Sequence, residues 1–271
     1  MSDERKISQD DLPALQRVLN VADAMEIPIV LVGAGARLLV MDWPFVLPSK
    51  RTTADWDFAL EVTDWKTFER FRDALRHPHA EQGTSEHRVV IGATPIDLVP
   101  FGGVEHPNGE ICWPRGKERM TVRGLSEALV FASERASAVP VAPLPLLAAL
   151  KVIAFAERGQ ETDKDLRDLY FILTNYARCG NEDRIFDEFT DELGAGLPYD
   201  QAGPLLLGRD LARHAKPETL AYVRNELDRL PERLDLYANA LLGRCLDEDQ
   251  RERDLADLHA LFAALRRGVG G

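Results

Sequence analysis

Apolar positions early in the chain follow two different periods. Leu12, Leu15, Val18, Leu19 and Ala22 fall on one helical face and predict a helix from about Gln9 to Met25. Ile27-Pro-Ile-Val-Leu-Val32 is apolar throughout and reads as a buried strand. It ends in the tight turn Gly33-Ala-Gly-Ala36, which opens a short helix through Val40. Ala54 to Val62 alternates enough for a second strand, and Asp64 then stands as N-cap of a helix over Trp65–Leu75. His87–Gly92 and Pro95–Pro100 predict two further strands, with Gly92-Ala-Thr-Pro95 as the turn between them.

The pattern changes at Pro143. Helical periodicity runs over residues 145–158, 163–177, 181–193, 217–229, 232–245 and 248–267. Pro143 and Pro145 suit the first turn of the first of these helices. The expectation is an α+β protein: a core domain over residues 1–140 with a small mixed sheet, then a helical domain over 141–271.

Composition narrows the class. With 271 residues, 45% apolar and 29% charged, the chain has the make-up of an ordinary globular protein large enough for two modest domains. A net charge of −12, with no basic tail, argues against strong sequence-independent DNA binding. A local basic patch for a nucleotide or an RNA end stays open. The three cysteines, Cys112, Cys179 and Cys245, form no Cys-x-x-Cys pair, so no disulfide framework or zinc knuckle is expected. A polar N-terminus adds to that reading, and a cytoplasmic location is expected. Arg37, Asp42 and Pro44 interrupt the most apolar stretch, so no membrane span is expected.

Candidate chemistry centres on carboxylates. In a strand, residues two apart share a side, so Asp55 and Asp57 present two carboxylates on one face with Trp56 and Phe58 on the other. Asp97 lies in the apolar strand Pro95-Ile-Asp-Leu-Val99. Clustered like charges are costly without a cation, and hard oxygen donors suit Mg²⁺ or Mn²⁺. Three such acids on neighbouring strands could hold two ions for in-line phosphoryl transfer. An Asp-x-Asp pair is also common on a solvated strand edge, and glycosyltransferases use one to hold a sugar-nucleotide's metal. The backbone N–H groups of Gly33, Ala34 and Gly35 suit phosphates, although glycine in such a turn also serves packing.

Basic side chains form a second set. Lys151 and Arg158 share a helix face, and Lys151 sits in an otherwise apolar run, where it must snorkel or meet an anion. Asp165 and Asp168 share a face of the next helix, where Thr162 with Asp165 also fits a capping box and Lys164 with Asp168 an ion pair. Arg37 and Arg51 flank the turn and the acids, and each suits either a triphosphate or a nearby carboxylate. His77-Pro-His79 reads as a solvated loop, and no phosphate-binding P-loop pattern is present.

The order of these pieces resembles DNA polymerase β-like nucleotidyltransferases, and more closely the AbiEii/AbiGii toxin family. The resemblance rests on Val32–Arg37, Arg51-Thr-Thr-Ala-Asp-Trp-Asp-Phe58, Pro95-Ile-Asp-Leu-Val-Pro-Phe-Gly102, and Leu147–Arg158 followed by Lys164-Asp-Leu-Arg-Asp-Leu169. It covers roughly residues 27–175. The family turn usually has Gly or Ser where Ala34 stands, and residues 42–50 read as an inserted loop. The resemblance implies metal-dependent transfer of a nucleoside monophosphate from an NTP to an acceptor. Asp55, Asp57 and Asp97 would hold Mg²⁺ or Mn²⁺, Lys151 would serve catalysis, and Gly33, Ala34, Gly35, Arg37, Arg51, Lys151, Arg158 and Asp165 would contact the nucleotide. Acceptors in such families include the tRNA 3′ end, and some members are toxins paired with an antitoxin. Two rivals stand beside this reading: a transferase acting on a small antibiotic-type molecule, and a non-catalytic nucleotide- or partner-binding protein on the same fold.

Overall fold

The computed structural model describes residues 7–48, 53–76, 86–134, 138–244 and 247–270. It divides into two compact units, residues 1–147 and 148–271. In chain order the first unit contains α1 (Asp11–Ala24), β1 (Ile29–Val32), α2 (Gly33–Arg37) running into a π-helical turn (Leu38–Asp42), β2 (Trp56–Val62), α3 (Trp65–Leu75), β3 (Arg88–Ile91) and β4 (Thr94–Gly102). It continues with β5 (Glu110–Cys112), β6 (Arg119–Thr121), α4 (Leu125–Val130), β7 (Ser133–Glu134), β8 (Pro140–Val141) and the start of α5 (Leu144–Arg158).

The apolar run at β1 is explained by its place inside a six-stranded mixed sheet of order β3-β4-β2-β1-β8-β7. β1 pairs antiparallel with β2 on one side and parallel with β8 on the other. β2 and β4 run parallel, and β3 and β4 form an antiparallel hairpin whose turn is Gly92-Ala93 alone, shorter than the expected Gly92–Pro95 because Thr94 and Pro95 already pair with Ile91 and Val90. The core gathers Val30, Leu31, Phe58, Leu60, Ile96 and Leu98 from the strands, with Leu15 and Val18 of α1 and Phe68 and Phe71 of α3. Asp64 caps α3 as expected, its carboxylate accepting the Thr67 N–H at 2.7 Å.

The sequence placed the domain boundary near 140, and the division falls at 147/148. The reason is β8: Val141 pairs with Leu31, and the Ala142 N–H donates to the Leu31 carbonyl at 3.1 Å, so this segment belongs to the sheet.

The second unit is helical: the rest of α5, then α6 (Lys164–Asn175), α7 (Glu182–Glu188), α8 (Thr190–Gly194), α9 (Tyr199–His214), α10 (Pro217–Arg229), α11 (Pro231–Leu242) and α12 (Glu248–Gly270). The predicted 181–193 helix is broken at Phe189 into α7 and α8. α9 was not predicted, because Gly203, Pro204 and Gly208 disrupt its pattern. One of those residues is where α9 meets α12. A Cβ on Gly208 would fall 2.4 Å from the Leu265 carbonyl oxygen, and one on Gly268 would fall 2.2 Å from that of Leu205. Backbones therefore touch at a glycine–glycine crossing. Asp247 caps α12 by accepting the Gln250 N–H at 2.9 Å. No helix among the described residues is long and apolar enough to cross a membrane.

Candidate functional site

Register brings the acids of the first unit together. Asp57 of β2 and Asp97 of β4 are direct partners across the parallel pair, on backbones about 4.8 Å apart. Asp55 lies two residues before Asp57, just ahead of β2. Trp56 and Phe58, 2% and 0% exposed, point the opposite way into the core, which anchors the strand and leaves the carboxylates half-exposed.

A cation that sequence reasoning missed sits among them. Arg88 of β3 is the register partner of Asp97. Its Nε donates to Asp97 Oδ1 at 2.6 Å, and one Nη donates to both Asp97 Oδ2 and Asp55 Oδ2 at 2.6 Å. This is a bidentate fork on one carboxylate with a second carboxylate attached to it. The Asp97 hydrogen bond, followed by the charges of Asp97 and Asp55, raises the Arg88 pKa above the ordinary arginine value despite partial burial.

The glycine turn abuts the same acids. Gly33 has a left-handed φ of +71°, and a Cβ there would lie 2.1 Å from Asp57 Oδ2. A Cβ on Gly35 would lie 2.7 Å from Cε3 of Trp56. Gly33 is thus required by the Asp57 carboxylate and Gly35 by the indole behind it. Ala34, between them, is half-buried. Arg37 is 3% exposed and ion-paired with the buried Asp42 at 3.1 Å, the carboxylate alternative of its two sequence readings. Arg51 and the His77-Pro-His79 segment lie outside the described residues.

The remaining candidates meet in the helical unit. Lys151 Nζ reaches Asp165 at 3.0 Å and Asp168 at 2.8 Å. Arg158 grips Asp165 with two bonds, at 2.7 and 3.0 Å. Burial alone would depress the Lys151 pKa, but the Asp168 and Asp165 charges reverse the effect and hold it above the usual lysine value. Burial would likewise raise Asp165, yet Arg158 and Lys151 keep it below the usual carboxylate range. Asp165 is therefore an ion-pair partner linking α5 to α6. The predicted capping box is replaced: the N-cap of α6 is Asp163, and the Thr162 hydroxyl accepts the Lys164 N–H at 3.3 Å. The same helix-face spacing that singled out Asp165 also pointed to Asp168.

For a metal, the donor set has the right chemistry: hard carboxylate oxygens converging on one positive charge, here the Arg88 guanidinium. Among the described residues, however, no three acidic, histidine or cysteine side chains are arranged as a ready ligand set. Asp55 and Asp97 are instead drawn onto Arg88. The residues fit a divalent ion in kind, on condition that Arg88 yields its place.

No protein-family model matches the chain, and no curated protein matches it. Among solved structures it is similar to ANT(2″)-Ia in complex with adenylyl-2″-tobramycin. That likeness covers 68% of this chain and 95% of the other, at 13% identity and a TM-score of 0.38.

Proposed function

We propose that this chain is a metal-dependent nucleotidyltransferase that moves a nucleoside monophosphate from an NTP to an acceptor hydroxyl. One observation carries the reading: Asp57 and Asp97 are register partners on parallel strands, with Asp55 two residues away and the Gly33 turn packed against Asp57. In this proposal Asp55, Asp57 and Asp97 would hold Mg²⁺, which when bound supplies charge neutralisation for the phosphate oxygens. Asp97 orients the acceptor hydroxyl and takes its proton. Backbone N–H groups of the Gly33–Gly35 turn donate to phosphate oxygens and stabilise the charge that develops on the leaving pyrophosphate. No step is placed on Lys151 or Arg158, whose cationic heads are engaged by Asp165 and, for Lys151, also by Asp168.

The test is incubation of purified protein with α-labelled NTPs and Mg²⁺, in parallel with total tRNA and with a panel of small polyhydroxylated molecules. Label on tRNA assigns the tRNA-directed activity expected of a toxin-type enzyme, and label on a small molecule assigns the antibiotic-type activity. Arg88 favours a second reading, a non-catalytic protein on the same fold, because it neutralises two of the acids without a metal. Failure to bind Mg²⁺–NTP by calorimetry, with no label transferred, would support that second reading in its partner-binding form.

A further inference from the structure

We propose that Arg88 is a built-in competitor for the divalent-cation site: its guanidinium and a metal ion use the same oxygens of Asp55 and Asp97, so loading the site requires Arg88 to swing away. The inference rests on the reading of Asp55, Asp57 and Asp97 as metal ligands.

The geometry makes the two occupants exclusive. Arg88 takes both oxygens of Asp97 and one of Asp55, each at 2.6 Å. An inner-sphere Mg²⁺ sits about 2.0–2.1 Å from its oxygens. An ion on the Asp97 oxygens would lie within about 5 Å of the guanidinium nitrogens, where like charges repel and both claim the same lone pairs. Arg88 also has room to leave. Its side chain is 42% exposed, and among the described residues β3 is an edge strand of the sheet. Its charge offsets part of the repulsion between Asp55 and Asp97 whenever a metal does not. The exchange swaps one cation for another, and metal affinity is set by the difference between them.

The experiment measures Mn²⁺ binding to the full chain by electron paramagnetic resonance, for the natural protein, Arg88→Gln, Asp97→Asn and Asp55→Asn. Thermal unfolding is followed alongside. Competition predicts that Arg88→Gln binds Mn²⁺ at least about tenfold more tightly, about 1.4 kcal/mol. It also predicts that the Arg88 Nε–H resonance of the natural protein shifts on addition of Mg²⁺, a readout that needs no variant to fold. Equal or weaker Mn²⁺ binding by Arg88→Gln, or an unmoved Arg88 resonance at saturating Mg²⁺, would overturn the competition while leaving the metal site intact. Binding that survives both Asp variants unchanged, or no binding by any form up to millimolar Mn²⁺, would instead remove the metal site itself and the competition with it.

Discussion

Replacing Gly33 with alanine probes the contact on which the candidate site is built. Two penalties apply. The left-handed φ of +71° strains any residue with a Cβ, at about 1–2 kcal/mol. The new methyl would also lie 2.1 Å from Asp57 Oδ2 and 2.8 Å from its Cγ, so the carboxylate must move. Overpacking of this kind costs roughly 1–3 kcal/mol. Together they give roughly 2–5 kcal/mol, or a melting temperature lower by roughly 5–15 °C for a chain of this size. Gly92→Ala separates the two penalties, since Gly92 has φ +64° but nothing within 4 Å of the added Cβ. It should cost only the strain. The assay is thermal unfolding of both variants, with Mn²⁺ binding as a second readout. Gly33→Ala should melt below Gly92→Ala and lose Mn²⁺ affinity, because Asp57 is displaced. Equal melting of the two variants would refute the close approach of Asp57 to the turn, and natural-type melting of both would refute the backbone assignment as well.

Lys151→Met removes the ammonium shared by Asp165 and Asp168 and should cost about 3–5 kcal/mol, read as a lower urea midpoint. The pH dependence has a fixed sign. The lowered Asp165 pKa stabilises above the unfolded carboxylate value of about 3.9 and is lost as pH falls through the folded value. The raised Lys151 pKa stabilises fully below about 10.4 and is lost as pH rises through the folded value. Stability of the natural helical unit should therefore be flat near neutrality and fall at both extremes, and Lys151→Met should flatten the alkaline fall; a Lys151→Met midpoint within experimental error of the natural one contradicts the cluster's role. Gly268→Ala would set a methyl 2.2 Å from the Leu205 carbonyl oxygen, and calorimetric unfolding should show a loss of about 1–3 kcal/mol.

Local chemistry made much of the fold legible. The Ile29–Val32 run, the Asp64 cap and the helix after it, and the hairpin around Gly92 all follow from short-range pattern. α9 did not, because Gly203, Pro204 and Gly208 lower helix propensity while a tertiary crossing requires Gly208. The carboxylates were legible as residues, and their grouping came with the family resemblance, but the cation among them was not. Arg88 belongs to no motif, yet a two-residue turn at Gly92-Ala93 fixes the hairpin register and sets Arg88 opposite Asp97. Following that register through would have found it. Parallel pairing of β2 with β4, which joins Asp57 to Asp97, is a long-range choice that no local pattern encodes. Arg37 shows the reverse case: a basic residue beside a glycine turn suits a phosphate, but it is ion-paired with the buried Asp42 of the same helical segment.

Nucleotide transfer is proposed for the Asp55–Asp57–Asp97 face. Its most direct test compares the natural protein with Asp57→Asn for transfer of α-labelled NTP to an acceptor, with circular dichroism confirming that both fold. The natural protein should show Mg²⁺-dependent transfer, and the variant should lose roughly a hundred- to a thousandfold, the range found when transition-state charge stabilisation is removed. Undiminished transfer by a folded Asp57→Asn protein would contradict the proposal.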